Sequence, residues 1–407
     1  MTDDIRISVP TTDDWDELHR CLSAAFLNDP DEASAPVERG LYEPERCLVA
    51  RRGEEIVGTA GIYTRSLAVP GAVLPAGHVT MVSVDATARR QGILRRFMKQ
   101  QFADMRAAGE AVAVLWASEG RIYQRFGYGL AVRRLALKAQ NRELRLTTEA
   151  PAGRLRSAEP AAVRDDLVKV YDRAFAQRPG WSERGPRHWD HRLADPPSWR
   201  DGAASLRAVV HHGADGVDGY ALFRTKSNWD DSGPTGEVRV LEHVAATREA
   251  YTALWQFLLT MDLTRTTNAW TCAVDEPVQY MVDEPRRLNA RLIDALWLRI
   301  VDLPAALAAR RYAADVDVVL AVSDSEIAEN AGAWRLVGSP DSARCDPTTD
   351  EPDLSCDIRA LGSVYLGGTA LVSLAAAGLV TEHRPGALAR AAAAFGWHTP
   401  PSVLEVF

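Results

Sequence analysis

The run Ala111-Val-Ala-Val-Leu-Trp116 holds six apolar residues with no polar one between them. A strand with one face in water alternates apolar and polar residues, so an unbroken apolar strand has to be covered on both faces. A sheet with helices layered on each side meets that condition, and the neighbouring sequence supplies strands and helices in alternation. Ile5-Arg-Ile-Ser-Val9 alternates as a strand, and from Thr12 onward Trp15, Leu18, Leu22 and Phe26 recur at helical spacing. After an irregular acidic stretch, Asn28-Asp-Pro-Asp-Glu-Ala33, residues 47–50 and 56–63 flank the turn Arg52-Gly53-Glu54 and read as a hairpin. A strand over 78–84 and a helix over about 92–108 then lead into the apolar run.

Two further changes of texture divide the chain. Polar and basic residues 141–156, which include Pro151-Ala-Gly153, read as a linker. Beyond it a second module carries a helix over 163–176, a Trp- and Pro-rich loop over 181–199, strands over 206–210, 219–225 and 237–244, and a helix over 248–261. Val84-Asp-Ala-Thr87 is echoed by Val244-Ala-Ala-Thr247, which fits either a decayed internal duplication or a chance likeness. From about residue 292 the sequence turns Ala-rich, with a helix over 303–311 that has Pro304 in its first turn, a strand over 316–322 and a helix near 386–395. These shifts predict domains at 1–145, 146–290 and 291–407. The end, Ser402-Val-Leu-Glu-Val-Phe407, is apolar enough to be tied down, and a buried chain end brings its carboxylate with it.

Composition narrows the function classes. A chain of 407 residues with 46% hydrophobic and 25% charged content can bury more than one core. There is no run of eighteen apolar residues, and the start Met1-Thr-Asp-Asp-Ile5 is acidic where a signal peptide is basic, so a cytoplasmic protein without a membrane segment is expected. Cys21, Cys47, Cys272, Cys345 and Cys356 are scattered and free of CxxC spacing, which predicts neither a disulfide framework nor a metal site. A net charge of -8 argues against a nucleic-acid partner and favours cationic small molecules.

Two stretches carry chemistry. Val82-Ser-Val-Asp-Ala-Thr-Ala-Arg-Arg-Gln-Gly92-Ile-Leu94 passes from a strand through a basic turn into a helix. Free amides at a helix start, the helix dipole, Arg89 and Arg90 together suit a pyrophosphate, and Gly92 lets the backbone approach closely. A plain basic surface turn would carry the same residues. About thirty residues later comes Ile122-Tyr-Gln-Arg-Phe-Gly-Tyr128. On its own, Tyr123 reads there as a core tyrosine with a satisfied hydroxyl. His78, at the start of a strand with no carboxylate, reads as structural or as a base.

In this order the two motifs resemble the GNAT N-acetyltransferases, whose acetyl-CoA loop has the pattern Gln/Arg-x-x-Gly-x-Gly/Ala. Arg89-Arg-Gln-Gly-Ile-Leu94 matches at Arg89 and Gly92 and departs at Leu94, where small residues are usual. Over its whole length the chain is similar to the enhanced intracellular survival family, most specifically at Ala117-Ser-Glu-Gly120 and the following Ile122-Tyr-x-Arg-Phe-Gly-Tyr-Gly129. That resemblance implies an α/β (α+β) chain with an N-terminal GNAT domain, a second, degenerate GNAT-like domain in which Thr252 falls where Gly92 would align, and a C-terminal sterol-carrier-like α+β domain.

The resemblance also implies a reaction. Acetyl-CoA would be the co-substrate, held by Val82, Ser83, Val84, Arg89, Arg90, Gln91, Gly92, Ile93, Leu94 and Ser118. Tyr123 would be the general acid toward the departing thiolate, and the α-carboxylate of Phe407 the general base. The acceptor would be an amine of a cationic multi-amine small molecule such as an aminoglycoside, contacted by Asp29, Phe26, Met81 and Glu405, with Asp31 and Glu32 as further carboxylates. Trp15 is expected in the core or lining the cavity. A homo-hexamer is implied as the assembly. Acetylation of lysine side chains in peptides or proteins, and a non-catalytic acyl-CoA or lipid-binding protein, are the alternatives.

Overall fold

The computed structural model describes residues 5–148 and 153–407; the acidic start at 1–4 and part of the expected linker, 149–152, lie outside them. The chain forms two compact units. The first comprises the described residues of Met1–Val132, Ala295–Thr399 and Phe407, and the second those of Arg133–Asp294 and Pro400–Val406.

The first unit opens with β1 (Ile5–Ser8), α1 (Trp15–Ala25), α2 (Ala35–Arg39), β2 (Cys47–Arg52), β3 (Glu55–Val69) and β4 (Ala72–Val84). It continues with α3 (Ile93–Ala107), β5 (Val112–Trp116), α4 (Gly120–Gln124) and β6 (Gly129–Leu130). These strands and Leu296–Ile300 make a seven-stranded sheet in the order β1-β2-β3-β4-β5, Leu296–Ile300, β6. Only β4 and β5 run parallel. The apolar run is covered on both faces as its composition requires: Val112, Ala113 and Val114 are 0% exposed. On one face Met98, Phe102 and Met105 of α3 pack on Ile62, Val79, Ala113 and Leu115. Each such fully buried side chain contributes about 1.5–3 kcal/mol. Beside β2 and β3, away from the apolar run, Trp15 and Leu18 of α1 pack with Tyr42, Cys47, Val49 and Ile56, which makes Trp15 a core residue. Phe26 departs from the expected helical stripe. The helix ends before it, Leu27 takes a positive φ of 62°, and Phe26 is left 50% exposed.

The same unit holds a five-stranded sheet in the order Ala343–Pro347, Gly332–Gly338, Val316–Ser323, Leu354–Asp357, Val380–Glu382. Its helices include Leu303–Ala309, Ile358–Val364 and Ala387–Phe395. Arg310, 0% exposed, fastens two helix ends by donating to the carbonyls of Tyr365 (2.5 Å) and Phe395 (3.1 Å). A cation there complements the negative end of each helix.

The second unit has its own seven-stranded sheet, in the order Arg291–Asp294, Arg133–Gln140, Thr264–Cys272, Gly236–Ala245, Gly216–Lys226, Arg207–Gly213, Arg154–Ala158. Gly236–Ala245 and Thr264–Cys272 are its parallel pair and are joined by the helix Arg248–Leu259, the same strand–helix–strand order as β4, α3 and β5. Two sequence-based expectations change here. The described part of the supposed linker is packed: Leu144 is 6% exposed in the core with Leu254 and Leu258, and the Asn141 amide donates to Thr264 Oγ1 at 2.9 Å. The supposed loop over 181–199 contains the helix Pro186–Leu193, which buries Trp189 and starts with the proline whose fixed φ suits a first turn. The sheets also exchange strands relative to the sequence-based boundaries. Arg133–Gln140 pairs in the second sheet and Leu296–Ile300 in the first.

Candidate active site

The parallel pairing of β4 and β5 lasts three residues, Ala76 with Val112, Gly77 with Ala113 and His78 with Val114. Past that rung β4 pairs only with β3, while Leu115 and Trp116 of β5 pair with Leu296–Ile300. The strands part after His78 and Val114, and their facing edges offer backbone donors and acceptors. A bulge marks the parted segment of β4. Thr59 pairs with Ser83 and Gly61 with Thr80, so Ala60 alone faces Met81 and Val82, and Met81 has a positive φ of 51°. Thr59 Oγ1 donates to the Met81 carbonyl (2.6 Å) and so accepts from Ser83 Oγ (2.8 Å). Ser83 is 5% exposed, so its backbone rather than its hydroxyl remains for a ligand. Met81 is half-buried against the Trp15 cluster.

The expected phosphate loop follows at once. Asp85 accepts from the Thr87 amide (2.8 Å) and hydroxyl (2.6 Å), and these bonds hold its carboxyl below the usual range. Positive φ values at Arg90 (65°) and Gly92 (76°) carry the chain into α3. Gly92 is required for its backbone hand and not for space, since a Cβ there would meet nothing within 4 Å. The first helical bond runs from the Arg96 amide to the Gly92 carbonyl at 3.1 Å, so the amides before it project past the helix start. Arg89, Arg90, Gln91 and Gly92 are exposed. Arg89 Nε donates to the Val84 carbonyl (3.3 Å) and Gln91 to the Thr87 carbonyl (3.4 Å). Ile93 is 2% exposed, a core side chain. Leu94, the departure from the expected pattern, packs on the Phe102–Tyr123 cluster, which accounts for a large residue at that position.

Tyr123 lies in α4, 6% exposed, with its ring 5.8 Å from that of Tyr128. Burial pushes its phenol up to about 12. The amides of Phe126 (3.0 Å) and Tyr128 (3.3 Å) both donate to the Tyr123 carbonyl, closing a turn around Gly127, whose φ is 83°. Under this turn runs Arg299, 0% exposed, which binds Asp324 through Nη2 at 2.7 and 2.6 Å. Sequence reasoning missed both residues. They lie outside the motifs and 25 residues apart, and only the strand exchange brings Arg299 beside β5.

The remaining predicted residues are dispersed. Ser118, Asp29 and Glu32 are exposed, and Asp31 closes the turn before α2 by accepting from the amides of Ala33 (3.2 Å) and Ser34 (3.0 Å). Phe407 belongs to the first unit, with its ring 4.9 Å from that of His78. Glu405 belongs to the second, where its carboxylate meets Arg184 at 2.9 Å, and Arg184 also binds the fully buried Glu242 at 2.7 Å. Among the described residues no helix is long and apolar enough to cross a membrane, and no group of three or more His, Cys, Asp or Glu could hold a metal ion.

Comparison with known proteins extends this geometry to a family. Residues 6–131 match an acetyltransferase (GNAT) domain, residues 180–300 a second acetyltransferase (GNAT) domain, and residues 303–404 a sterol carrier protein domain. An uncharacterized N-acetyltransferase of Streptomyces avermitilis is 44% identical over 405 residues, 97% of each chain. N-acetyltransferase Eis of Mycobacterium tuberculosis is 34% identical over 409 residues, 97% of this chain and 98% of its own. The crystal structure of Eis1 from Mycobacterium abscessus, 34% identical, superposes with a TM-score of 0.86 over 99% of this chain and 100% of that one. With two GNAT domains, a sterol carrier protein domain and these relatives along nearly its full length, the chain belongs to the Eis family of GNAT N-acetyltransferases.

Proposed function

We propose that this enzyme transfers the acetyl group of acetyl-CoA directly to an amine of a cationic multi-amine small molecule such as an aminoglycoside, with Tyr123 as general acid and the α-carboxylate of Phe407 as general base. One observation carries the reading. Successive residues of a strand face opposite ways, Val79 shares a core cluster with Tyr123, and its neighbour His78 carries the ring of Phe407. This supports placing Tyr123 and Phe407 on opposite faces of one sheet, beside the parting of β4 and β5.

Acetyl-CoA suits the residues present. The amides at the start of α3, with Arg89 and Arg90, fit its diphosphate, and the backbone edge of Val82, Ser83 and Val84 that faces away from β3 fits its amide-bearing arm. An amide on that edge also suits the charge developing on the acetyl oxygen. In the reaction a nitrogen–carbon bond forms as the carbon–sulfur bond breaks. The proton lost by nitrogen passes through water to the Phe407 carboxylate, and the sulfur takes the phenolic proton of Tyr123. A terminal carboxylate, with a reference pKa of about 3.3–3.7, is ionised at neutral pH and ready to accept. Asp29, with Phe26 and Met81, is assigned to the acceptor, its exposed carboxylate drawing a polycation. A cytoplasmic homo-hexamer belongs to the same proposal.

The test is thiol release from acetyl-CoA across a panel of amines, with the products weighed by mass spectrometry. Acetylated multi-amines are expected. Turnover confined to peptide lysines would replace the acceptor class, and none with any amine would reject the reading.

A further inference from the structure

We propose that His78 is a positioning residue, a fixed aromatic surface that holds the ring of Phe407 and thereby sets where the chain's last carboxylate lies. The inference rests on the reading of that carboxylate as the base.

His78 is 0% exposed, and its Nδ1 lies 3.0 Å from the Ala76 carbonyl oxygen. A carbonyl only accepts, so Nδ1 carries the proton and the ring orientation is pinned to the backbone of its own strand. Its place in the sheet is equally constrained. His78 pairs with Tyr63 on β3 and with Val114 on β5, on the last rung before β4 and β5 separate. The ring thus stands at the apex of the opening assigned to the thioester. Against it lies Phe407, with ring centroids 4.9 Å apart and planes at 56°, inside the range in which aromatic pairs attract beyond their buried area.

A chain end has a covalent tether on one side only and frays unless held. Val406, the residue before it, is 47% exposed. The ring contact with His78 holds Phe407. The consequence is specific: the phenylalanine ring matters as a handle, and its carboxylate as the base. Misplacing a reacting group by about 1 Å costs roughly a hundredfold in rate.

The proposal is tested with His78→Ala, with Phe407→Leu, which keeps the terminal carboxylate and removes the ring, and with the two combined. Each single change is expected to lower kcat about tenfold to a hundredfold with little change in KM for acetyl-CoA. The double variant should be no slower than the slower single one, because both remove the same contact. His78→Phe, which restores a ring, should recover most of the rate. If His78→Ala does not fold, His78→Leu replaces it in the cycle. Full kcat in the His78 variant, or losses that multiply, would overturn the clamp. Deleting Phe407 separates the two ideas: turnover that survives deletion removes the base reading and this inference with it, whereas turnover lost on deletion but intact in His78→Ala removes the clamp alone.

Discussion

Gly127 lies directly against the guanidinium of Arg299, so that a Cβ at Gly127 would stand 2.4 Å from Nη1 and 3.1 Å from Nε. The contact joins two distant parts of the sequence. Gly127 turns the chain that carries Tyr123, and Arg299 is bound to Asp324 just past the end of Val316–Ser323, in the domain similar to sterol carrier proteins. The turn that carries Tyr123 is therefore backed partly by a domain that holds none of the sequence motifs.

Gly127→Ala should be costly twice over. Alanine is strained at a φ of 83°, and the guanidinium it would strike is fully buried and tied to Asp324. Overpacking of this kind costs about 1–3 kcal/mol. Thermal unfolding should show a lower Tm, and kcat should fall as the turn shifts Tyr123. Wild-type values for both would show that the turn adapts.

The Arg299–Asp324 pair, 0% and 1% exposed, should be strongly coupled. Asp324→Asn leaves a buried cation without its carboxylate, a loss of about 3–5 kcal/mol. Asparagine can still accept from the amides of Glu326 (3.0 Å) and Ile327 (3.1 Å), but its NH2 would face the donors Arg299 Nη2 and Asn330 Nδ2, so the loss includes those hydrogen bonds as well as the charge. Adding Arg299→Met to Asp324→Asn removes the stranded cation, so the pair of changes should cost less than the sum of the two made singly. Urea unfolding of the three variants measures this, and additive losses would mean the charges do not interact.

In the second unit the buried cluster around Arg184 predicts an ordered response. Burial pushes the Glu242 carboxyl up, but Arg184 and Arg192 outweigh it and hold the group below the usual glutamate range. A depressed carboxyl stabilises above its unfolded pKa, about 4.3, and that contribution is lost as pH falls through the folded value. Glu242→Gln should therefore destabilise by about 3–5 kcal/mol at neutral pH and flatten the acid limb of stability. Glu405→Gln, at the rim of the cluster, should cost less, since Glu242 still neutralises Arg184. Equal losses would place the charge balance elsewhere.

Much of the first unit was legible because its signals are local. Apolar continuity marked β5, helical spacing marked α3, and a glycine after two arginines marked the turn whose positive φ values the structure contains. The strand exchange was not legible. Arg133–Gln140 and Leu296–Ile300 look like ordinary strands, and which sheet each completes depends on long-range pairing that no local pattern encodes. The helix Pro186–Leu193 was hidden in a stretch that reads as a Trp- and Pro-rich loop. Arg299, Asp324 and the contact of His78 with Phe407 are likewise products of tertiary packing.

The pH dependence of turnover tests Tyr123 most directly. A phenol in water ionises near 10, whereas burial pushes that of Tyr123 up to about 12. The folded chain keeps this proton where the unfolded chain loses it, so the stability it brings is whole below pH 10 and is lost as pH rises toward 12. As an acid toward a thiolate the group stays fully protonated across the working range. The profile of kcat should then rise as the acceptor amine and the base lose their protons, and show no falling limb up to pH 10. Tyr123→Phe should lower the plateau by about two to four orders of magnitude without moving its rising limb. A falling limb near pH 8–9 that disappears in Tyr123→Phe would mean the phenol ionises far more readily than its burial allows, and a loss of tenfold or less would assign the proton to another donor.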